Sequence, residues 1–600
     1  LLLVRYSLAE NTPLAFSPGI PMNIGSPAPD PINTASKPSS SNNWSMVMDL
    51  PMMKNHREKA MESLALDVRV REAGDYCETW GKYDKAEEIY EKALTFAEER
   101  DRKLANEDSQ RIIAYYLKRK SDIMFTRGKI AQSVELEEKS FSIVQDIAEK
   151  NPTDKNQGNL AASYGRMGNR LEVQGKLDSA MEMYQKSLEI HEKLCAKLGT
   201  AEWQRALAVS YGDVGNILES QGDLSGAIEM YQKNLAILEK LDAELSTLQS
   251  RRDLAVSYDL VGRIRQKQGN FTSALETYRK SLAICEKLSL ELGTPQSRRD
   301  LAVSYNLVGD ILQEQGNFTD ALEMFRKSLA IREKLSLELD TPQSWRDLSA
   351  SYDRVGGILR EQGNFTGAMK MYRKSLAIHE KLSLELGTPQ SQRDLSVSYD
   401  HVGEILQEQR DFTGALGMFR KSLAIDEKLS LELGTPQSRR DLAVSYRRVG
   451  DILRAQRDFT GALEMYQESL AICEKLSLEL GTPQSRRDLA MSYRRVGDIL
   501  LTHRNFTGTL KMYRKDLAIC ESLSLELGTP SAYRDVMIAC TNNAFILSEQ
   551  EEYEEALLFA KRALTIGEAL AAQLDTDDAR REAEAMRNNL KIVEAYCKKS

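Results

Sequence analysis

Cysteine and histidine are scarce in this sequence, which has seven Cys and five His among 600 residues. The cysteine number is odd, and Cys285, Cys473 and Cys520 occupy one position of a repeat, many residues apart. A disulfide framework needs an even, closely spaced set, so we expect free thiols in a reducing, cytoplasmic compartment. Long apolar runs are also missing. No segment reaches the roughly 18 uncharged residues of a membrane span, and we expect no membrane partner.

Charge of one sign does not dominate the sequence either. The 81 basic and 89 acidic residues give a formal net charge of -8. Binding to nucleic acid draws most of its affinity from neutralised phosphates, which requires an excess of basic residues. The sequence has no such excess, so we expect no nucleic acid as a main partner.

Motifs of catalysis and cofactor binding are absent: there is no GxxxxGK phosphate loop, no HExxH, no CxxC and no GxSxG. His191 and His379 share one repeat position four units apart. This separation is too large for one metal site, and we expect both side chains on solvated surface. The sequence therefore predicts no enzyme, no cofactor and no metal. The same absences argue against catalysis within the repeats.

The chain repeats itself with a period of 47 residues. Tyrosine marks the period at Tyr164, Tyr211, Tyr258, Tyr305, Tyr352, Tyr399, Tyr446 and Tyr493. A second series, which includes Gly81, Gly128, Gly175, Gly222, Gly269, Gly316 and Gly363, continues as Arg410, Arg457, Arg504 and Glu551. Eleven units follow, and we place the array at 51–578 with a C-terminal capping helix at 579–600. Residues 1–50 are rich in Pro, Ser and Asn, so we expect a disordered segment there.

Each unit is predicted to be a helix hairpin. In the unit 294–340 apolar residues recur every three or four positions in two blocks. Gly293 suits the left-handed end of a helix, Thr294 an N-cap and Pro295 a first turn. Gly316 ends the first helix and Asn317 caps the second. Where arginine replaces this glycine, a left-handed residue with a side chain costs about 1 kcal/mol, and we expect less stable units.

Small and aromatic residues recur at fixed places in the hairpins. The first helix carries Gly74, Gly168, Gly215, Gly262, Gly309, Gly356, Gly403, Gly450 and Gly497. The second carries Ala86, Ala180, Ala227, Ala274, Ala321, Ala368, Ala415, Ala462 and Ala556, followed by Tyr90, Tyr184, Tyr231, Tyr278, Phe325, Tyr372, Phe419, Tyr466 and Tyr513. This pattern resembles the tetratricopeptide repeat, although the familiar unit has only about 34 residues. The longer unit is similar to those of kinesin light chains and of bacterial regulators.

The resemblance implies an all-α fold, a right-handed α-solenoid or superhelix of antiparallel helix hairpins. It also implies that the first helix of each hairpin, helix A, lines a concave groove. Differences between the units cluster on that helix. The candidate groove residues are Asn169, Asn216, Arg263, Asn306, Asp310, Arg354, Arg447, Arg448, Arg454, Arg494 and Arg495.

The two ends of this groove differ in chemistry. Asn169 and Asn216 can donate and accept hydrogen bonds with an extended peptide backbone. The arginines of the later units favour an acidic peptide. Two other interpretations stay open. Asp451 and Asp498 lie one turn away and can neutralise their neighbours, and exposed positions also drift after duplication.

The function we predict is a protein-interaction scaffold or adaptor that binds a protein or peptide in the concave groove. The alternative is a sensor or regulatory arm of a larger signalling protein, because the sequence begins with Leu1 and an effector domain would then lie upstream. Neither the partner nor the oligomeric state follows from the residues, since fold alone does not supply function.

Overall fold

A computed structural model of the chain describes residues 69–78, 83–574 and 576–597, and these residues form helices and no strand. The helices are α1 (69–78), α2 (Tyr83–Leu104), α3 (Glu107–Thr126), α4 (Ile130–Lys150), α5 (Asp154–Val173), α6 (Leu177–Leu198), α7 (Ala201–Gln221), α8 (Leu224–Leu245), α9 (Leu248–Lys267), α10 (Phe271–Leu292), α11 (Pro295–Glu314), α12 (Phe318–Leu339), α13 (Pro342–Glu361), α14 (Phe365–Leu386), α15 (Pro389–Glu408), α16 (Phe412–Leu433), α17 (Pro436–Ala455), α18 (Phe459–Leu480), α19 (Pro483–Thr502), α20 (Phe506–Leu527), α21 (Pro530–Glu549), α22 (Tyr553–Leu574) and α23 (Asp577–Cys597).

Helices α1 to α22 pair as eleven hairpins, in which the odd-numbered helix is helix A and the even-numbered helix is helix B. The prediction of an all-α solenoid of helix hairpins is confirmed. The expected disordered segment 1–50 and the start of the array at 51–68 lie outside the described residues, as does Gly81.

The hairpin boundaries follow the predicted capping chemistry. Thr294 Oγ1 accepts a hydrogen bond from the Ser297 backbone N–H, and Pro295 is the first residue of α11. Asn317 Oδ1 accepts from the Asp320 backbone N–H at the start of α12. An N-cap of this kind typically stabilises a helix by about 1 kcal/mol. In this unit the predicted capping residues thus mark where each helix begins.

The turn between helix A and helix B uses a left-handed residue. Gly316 has φ +76°, and Arg410, Arg457 and Arg504 keep the same conformation with φ +62°, +66° and +57°. The left-handed conformation expected at the arginines is therefore confirmed. With Glu551 at φ +64°, the strain that a side chain brings to this region of backbone space is present in four consecutive units.

The described residues form two compact units. The larger comprises 124–134 and 158–597, and the smaller comprises 69–123 and 135–157. In the smaller unit the aromatic position of the second hairpin holds a buried Glu137 in place of a ring. In the larger unit each helix packs mainly on the helices before and after it in sequence. This neighbour-only packing is the property of repeat arrays.

The core of the larger unit is a repeated contact between a ring and a glycine. In α11 and α12, Phe325 is buried against Gly309, beside the buried Ala321 and Ile311. Complete burial of such a side chain stabilises the fold by about 1.5–3 kcal/mol. The equivalent Tyr278 and Tyr372 are buried in the same way, which confirms core packing for this aromatic series.

Ion pairs join consecutive helices A near their first turns. Arg299 Nε lies 2.8 Å from Asp347 Oδ2, and Arg440 Nε lies 2.5 Å from Asp488 Oδ2 in a later pair of units. The arginine one residue earlier reaches helix B of its own hairpin, as Arg298 does with Glu338 at 2.7 Å. The charged residues at the start of helix A thus have structural partners within the array.

Candidate partner-binding groove

Helices A of successive units carry the variable residues at three positions, which we name by order along the helix. The first groove position holds Gly165, Gly212, Asp259, Asn306, Asp353, Asp400, Arg447, Arg494 and Thr541. The second holds Arg166, Asp213, Leu260, Leu307, Arg354, His401, Arg448, Arg495 and Asn542. The third holds Asn169, Asn216, Arg263, Asp310, Gly357, Glu404, Asp451, Asp498 and Phe545. All of the predicted groove residues except Arg454 fall in these sets.

The third position is anchored by the tyrosine of helix B. Tyr184 OH donates to Asn169 Oδ1 at 2.6 Å, and Tyr231 OH donates to Asn216 Oδ1 at 2.7 Å. Within the described residues the Nδ2 groups of both asparagines make no hydrogen bond. The two amides therefore differ from the expectation that each would donate and accept. Their oxygens are occupied, and their N–H groups remain as donors one unit apart.

Glycine at the first position opens the early part of the groove. A Cβ placed on Gly165 would lie 3.7 Å from Asp213 Oδ2, and one placed on Gly212 would lie 3.7 Å from Asn234 Nδ2. These are ordinary contact distances, so a Cβ would fit at either position. From Asp259 to Arg494 every unit has a side chain there. The two glycines thus leave room that the later units fill, on the same helices A that carry Asn169 and Asn216.

The Asp213 carboxyl group faces this free volume. It forms no ion pair or hydrogen bond with any residue that the structure describes. Burial, with a smaller contribution from the Glu172 charge, raises the pKa of Asp213 to about 7. A positively charged group placed beside it would favour the ionised carboxylate and lower this pKa.

Charged residues of the middle units pair with one another across neighbouring helices A. Arg354 Nη2 lies 3.1 Å from Asp310 Oδ2, and Arg448 contacts both Asp400 and Glu404, the latter at 2.9 Å. Toward the early units, Arg263 Nη2 lies 2.9 Å from Glu219 Oε2 and donates to Asn216 Oδ1. The remaining predicted residue of this stretch, Asn306, has a buried Oδ1 without a partner among the described residues.

The predicted arginines of the later units are mostly neutralised inside the array. Arg494 Nε lies 2.9 Å from the buried Asp516 of helix B. Arg495 lies 3.5 Å from Asp451, and Arg454 lies 3.8 Å from Asp451 and from Asp498. Arg447 has no ion pair within the described chain, and burial lowers the pKa of its guanidinium. An acidic peptide would have to compete with these existing pairs, so this part of the groove offers little free positive charge.

A buried polar series on helix B was missed by sequence reasoning. It consists of His191, Cys285, Arg332, His379, Asp426, Cys473 and Cys520, with Leu238 at the same position. The prediction that His191 and His379 lie on solvated surface is wrong, because each is only 7% exposed. His191 Nδ1 lies 2.7 Å from Ser210 Oγ, and His379 lies 2.7 Å and 2.6 Å from Ser349 Oγ and Ser398 Oγ. Burial lowers the pKa of His191 to about 4.

The signal for this series was present in the sequence. Serine recurs 19 residues after the variable position, as Ser210, Ser257, Ser304, Ser351, Ser398, Ser445 and Ser492. A periodic small hydroxyl on the next helix A marks a packed polar contact, because buried polar side chains need hydrogen-bond partners. The prediction of a surface position for the two histidines rests on their separation, which is too large for a metal site, whereas the structure buries this position with residues of different kinds.

Among the described residues no group of three or more His, Cys, Asp or Glu is arranged to hold a metal ion. None of the helices in this described part of the chain combines the length and the apolar character of a membrane-spanning segment. The seven cysteines are free thiols.

Comparisons with known proteins agree with this architecture. Family models described as tetratricopeptide repeat match residues 258–334 and 300–381, residues 160–196, 207–241 and 442–477, and residues 72–100. No curated protein sequence matches the chain.

Solved structures similar to this chain include three with helical repeats. BtubC (BKLC) from P. vanneervenii is 21% identical, with a TM-score of 0.35 over 42% of this chain and 92% of its own. Yeast Tom70 is 16% identical, with a TM-score of 0.39, and the match covers 89% of this chain and 97% of Tom70. A signal-transduction ATPase with a tetratricopeptide repeat sensor from Pyrococcus horikoshii is 14% identical, with a TM-score of 0.39. The match covers 66% of this chain and 54% of the ATPase. With its 47-residue hairpins and family matches between residues 72 and 477, the chain belongs to the tetratricopeptide-repeat proteins.

Proposed function

We propose that this protein is an interaction scaffold whose helices A hold an extended segment of a partner protein, beginning in the early groove. The observation that carries the proposal is the pair of glycines at the first groove position, Gly165 and Gly212. Each has room for a Cβ and lies four residues before an asparagine, Asn169 or Asn216, whose Nδ2 group has no partner among the described residues. Two amide donors one unit apart suit the carbonyl groups of an extended chain.

The charge of the early groove indicates what the partner segment carries. Asp213 has no ion pair among the described residues, whereas the predicted arginines of the middle and later units are already paired, with the exception of Arg447. A lysine, an arginine or a free amino terminus would satisfy this carboxyl group. We therefore assign a basic rather than an acidic segment to the early groove.

The proposal includes the cytoplasm as the compartment and a non-catalytic role. Five of the seven free cysteines are buried thiols, which is compatible with a reducing environment. Residues 51–578 form the interaction array in this proposal, and α23 closes its end. No observation in the described residues favours the alternative of a sensor arm.

The test replaces groove residues by residues that other units carry at the same positions. The groove variant is Gly165→Asn, Gly212→Asn and Asp213→Leu, after Asn306 and Leu260. The control variant is Leu290→Asn with Leu337→Asn on helix B, where the side chains are 87% and 77% exposed. Each protein is used for affinity capture from a native lysate, with circular dichroism to confirm equal helix content.

A partner that wild type and the control variant retain, and that the groove variant loses, would support the proposal. Equal retention by all three proteins would contradict it, because it would move the binding surface away from the early groove. Partner segments recovered by limited proteolysis should also carry a basic residue, and an acidic segment would contradict the charge assignment.

A further inference from the structure

The last hairpin lacks the ring that fills the core of nine other hairpins. In nine hairpins a helix B aromatic packs on a helix A glycine, as Gly74–Tyr90, Gly168–Tyr184, Gly215–Tyr231, Gly262–Tyr278, Gly309–Phe325, Gly356–Tyr372, Gly403–Phe419, Gly450–Tyr466 and Gly497–Tyr513. A Cβ at these glycines would lie 2.3–2.8 Å from the ring. In the hairpin of α21 and α22 the two positions hold Ala544 and Ala560. Two methyl groups occupy the space that a ring and a glycine occupy elsewhere.

The missing ring leaves a cavity of 220 Å³ between α21, α22 and α23. Ala544 and Ala560 line it, together with the apolar side chains of Met586, Ile592 and Tyr596. A cavity of about 150 Å³ is enough to hold benzene, so this one is large enough for an aromatic side chain. We name it the C-terminal slot.

Two groove positions contribute to the lining of the slot. These are Thr541, at the first groove position, and Phe545, at the third. In four internal units the helix B tyrosine hydroxyl donates to the third-position residue, as Tyr466 OH does to Asp451 Oδ1 at 2.5 Å. A partner ring in the slot would lie beside the third-position residue of the last hairpin, where the other units have their own ring.

The lining of the slot also includes two acidic residues. Glu549 and Glu551 form no ion pair with another described residue. Both are exposed to solvent, and the remainder of the lining is largely apolar. An aromatic group next to a positive charge would match both features, whereas a neighbouring acidic residue would be repelled.

We propose that the C-terminal slot takes an aromatic side chain of the bound partner, adjacent to a lysine or arginine. This inference rests on the proposed function, because it gives the partner segment a second anchoring point at the far end of the groove. An aromatic side chain buried in a desolvated pocket is a typical anchor of protein interfaces.

The probe is N-acetyl-Phe-Lys-amide, titrated into the full chain and followed by ligand-observed NMR. Its competitors are N-acetyl-Ala-Lys-amide and N-acetyl-Phe-Glu-amide. We expect the Phe-Lys probe to bind at least about tenfold more tightly than either, a factor that corresponds to about 1.4 kcal/mol. Equal binding of the alanine probe would overturn the aromatic assignment, and equal binding of the glutamate probe would overturn the charge assignment.

A filled-slot variant, Ala544→Gly with Ala560→Tyr, reproduces the pair Gly450–Tyr466 of an internal unit. It should unfold at the same or a higher temperature than wild type and lose at least about tenfold in affinity for the Phe-Lys probe. Unchanged probe affinity in a folded filled-slot variant would overturn the proposal. A second variant, Glu549→Gln with Glu551→Gln, keeps the cavity and should remove the preference for Phe-Lys over Phe-Glu. A preference that persists would overturn the charge assignment.

The groove variant separates this inference from the proposed function. It should bind the Phe-Lys probe as wild type does, because Gly165, Gly212 and Asp213 do not line the slot. A lysate partner that is lost by the groove variant but kept by the filled-slot variant would overturn the slot and leave the proposed function intact. A lysate partner lost by both variants supports both proposals.

Discussion

Tyr466 lies with its ring edge against Gly450, where a Cβ would approach Tyr466 Cε1 to 2.7 Å. The same tyrosine donates its hydroxyl to Asp451 Oδ1, which sits one residue beyond the glycine. A single side chain of helix B therefore fixes both the spacing of the two helices and one groove residue. This contact joins the core of the array to its proposed binding surface.

The substitution Gly450→Ala should destabilise the hairpin of α17 and α18 by about 1–3 kcal/mol, because the methyl group overpacks the ring contact. Amide hydrogen exchange of this hairpin measures the effect locally, which suits an array whose units open separately. The matched control is Gly417→Ala, since nothing lies within 4 Å of a Cβ at Gly417. The control should stabilise its helix by about 0.5–1 kcal/mol, and equal destabilisation by both would contradict the packing argument.

A buried ion pair should make Asp347 contribute more to the stability of the fold than the aspartates at the same repeat position in other units. Asp347 contacts the buried Arg332 of helix B as well as Arg299. Asp347→Ala should destabilise the fold by roughly 3–5 kcal/mol, because it leaves a buried guanidinium without its partner. The control Asp394→Ala removes the 3.2 Å pair with Arg346 at the same repeat position, where the buried residue is His379, and should cost only about 1 kcal/mol. Similar losses of thermal stability in the two variants would show that Arg332 does not depend on Asp347.

Arginines in the left-handed backbone conformation should lower the stability of the later hairpins. Arg457 adopts φ +66° in the turn that glycine occupies in earlier units. Arg457→Gly should therefore stabilise the hairpin of α17 and α18 by about 1 kcal/mol and slow its amide exchange. In the wild-type protein the arginine-bearing units should exchange faster than the glycine-bearing units. The reverse substitution Gly363→Arg should accelerate exchange in its own unit, and equal protection of both kinds of unit would contradict the strain argument.

The helical fold could be predicted from the sequence because every local signal points to it. Thr294, Pro295 and Gly316 fix the ends of the helices by themselves, and the 47-residue period makes each signal visible several times. The burial of individual polar side chains could not be predicted in this way, because it depends on tertiary packing. Whether a polar residue on helix B faces solvent or the next helix A depends on how the hairpins stack, which is why His191 was placed wrongly.

The groove was predictable only as a set of positions. Sequence variation marked Asn169 and Arg494 alike, yet the structure gives them different surroundings. Asn169 keeps an Nδ2 group without a partner among the described residues, whereas Arg494 pairs with the buried Asp516. Side-chain direction and pairing decide which charges are available to a partner, and neither follows from repeat spacing. The slot could have been suspected from Ala560, where the aromatic series ends, but its volume required the packing of α23.

The carboxyl group of Asp426 should make stability depend on pH. It is buried between Ser396 Oγ at 3.0 Å and Ser445 Oγ at 2.5 Å, and burial, aided by the charges of Asp400 and Asp441, raises its pKa from 3.8 to about 7. The folded state thus favours the protonated form. Its stabilising contribution is complete below pH 4 and is lost as the pH rises through 7.

Asp426→Asn keeps a neutral hydrogen-bonding group at this position and removes the titration. The variant should match wild type near pH 4 and exceed it at pH 8 by roughly 2–4 kcal/mol, because each pKa unit is worth about 1.4 kcal/mol and the difference accumulates between the unfolded and the folded pKa. Thermal unfolding of both proteins between pH 4 and 8 measures the difference. The control Asp411→Asn changes an exposed N-cap that is asparagine in other units, as at Asn364, and should give a small offset that is constant across this range. A constant offset for Asp426→Asn as well would show that its carboxyl group does not titrate in the folded protein near neutral pH.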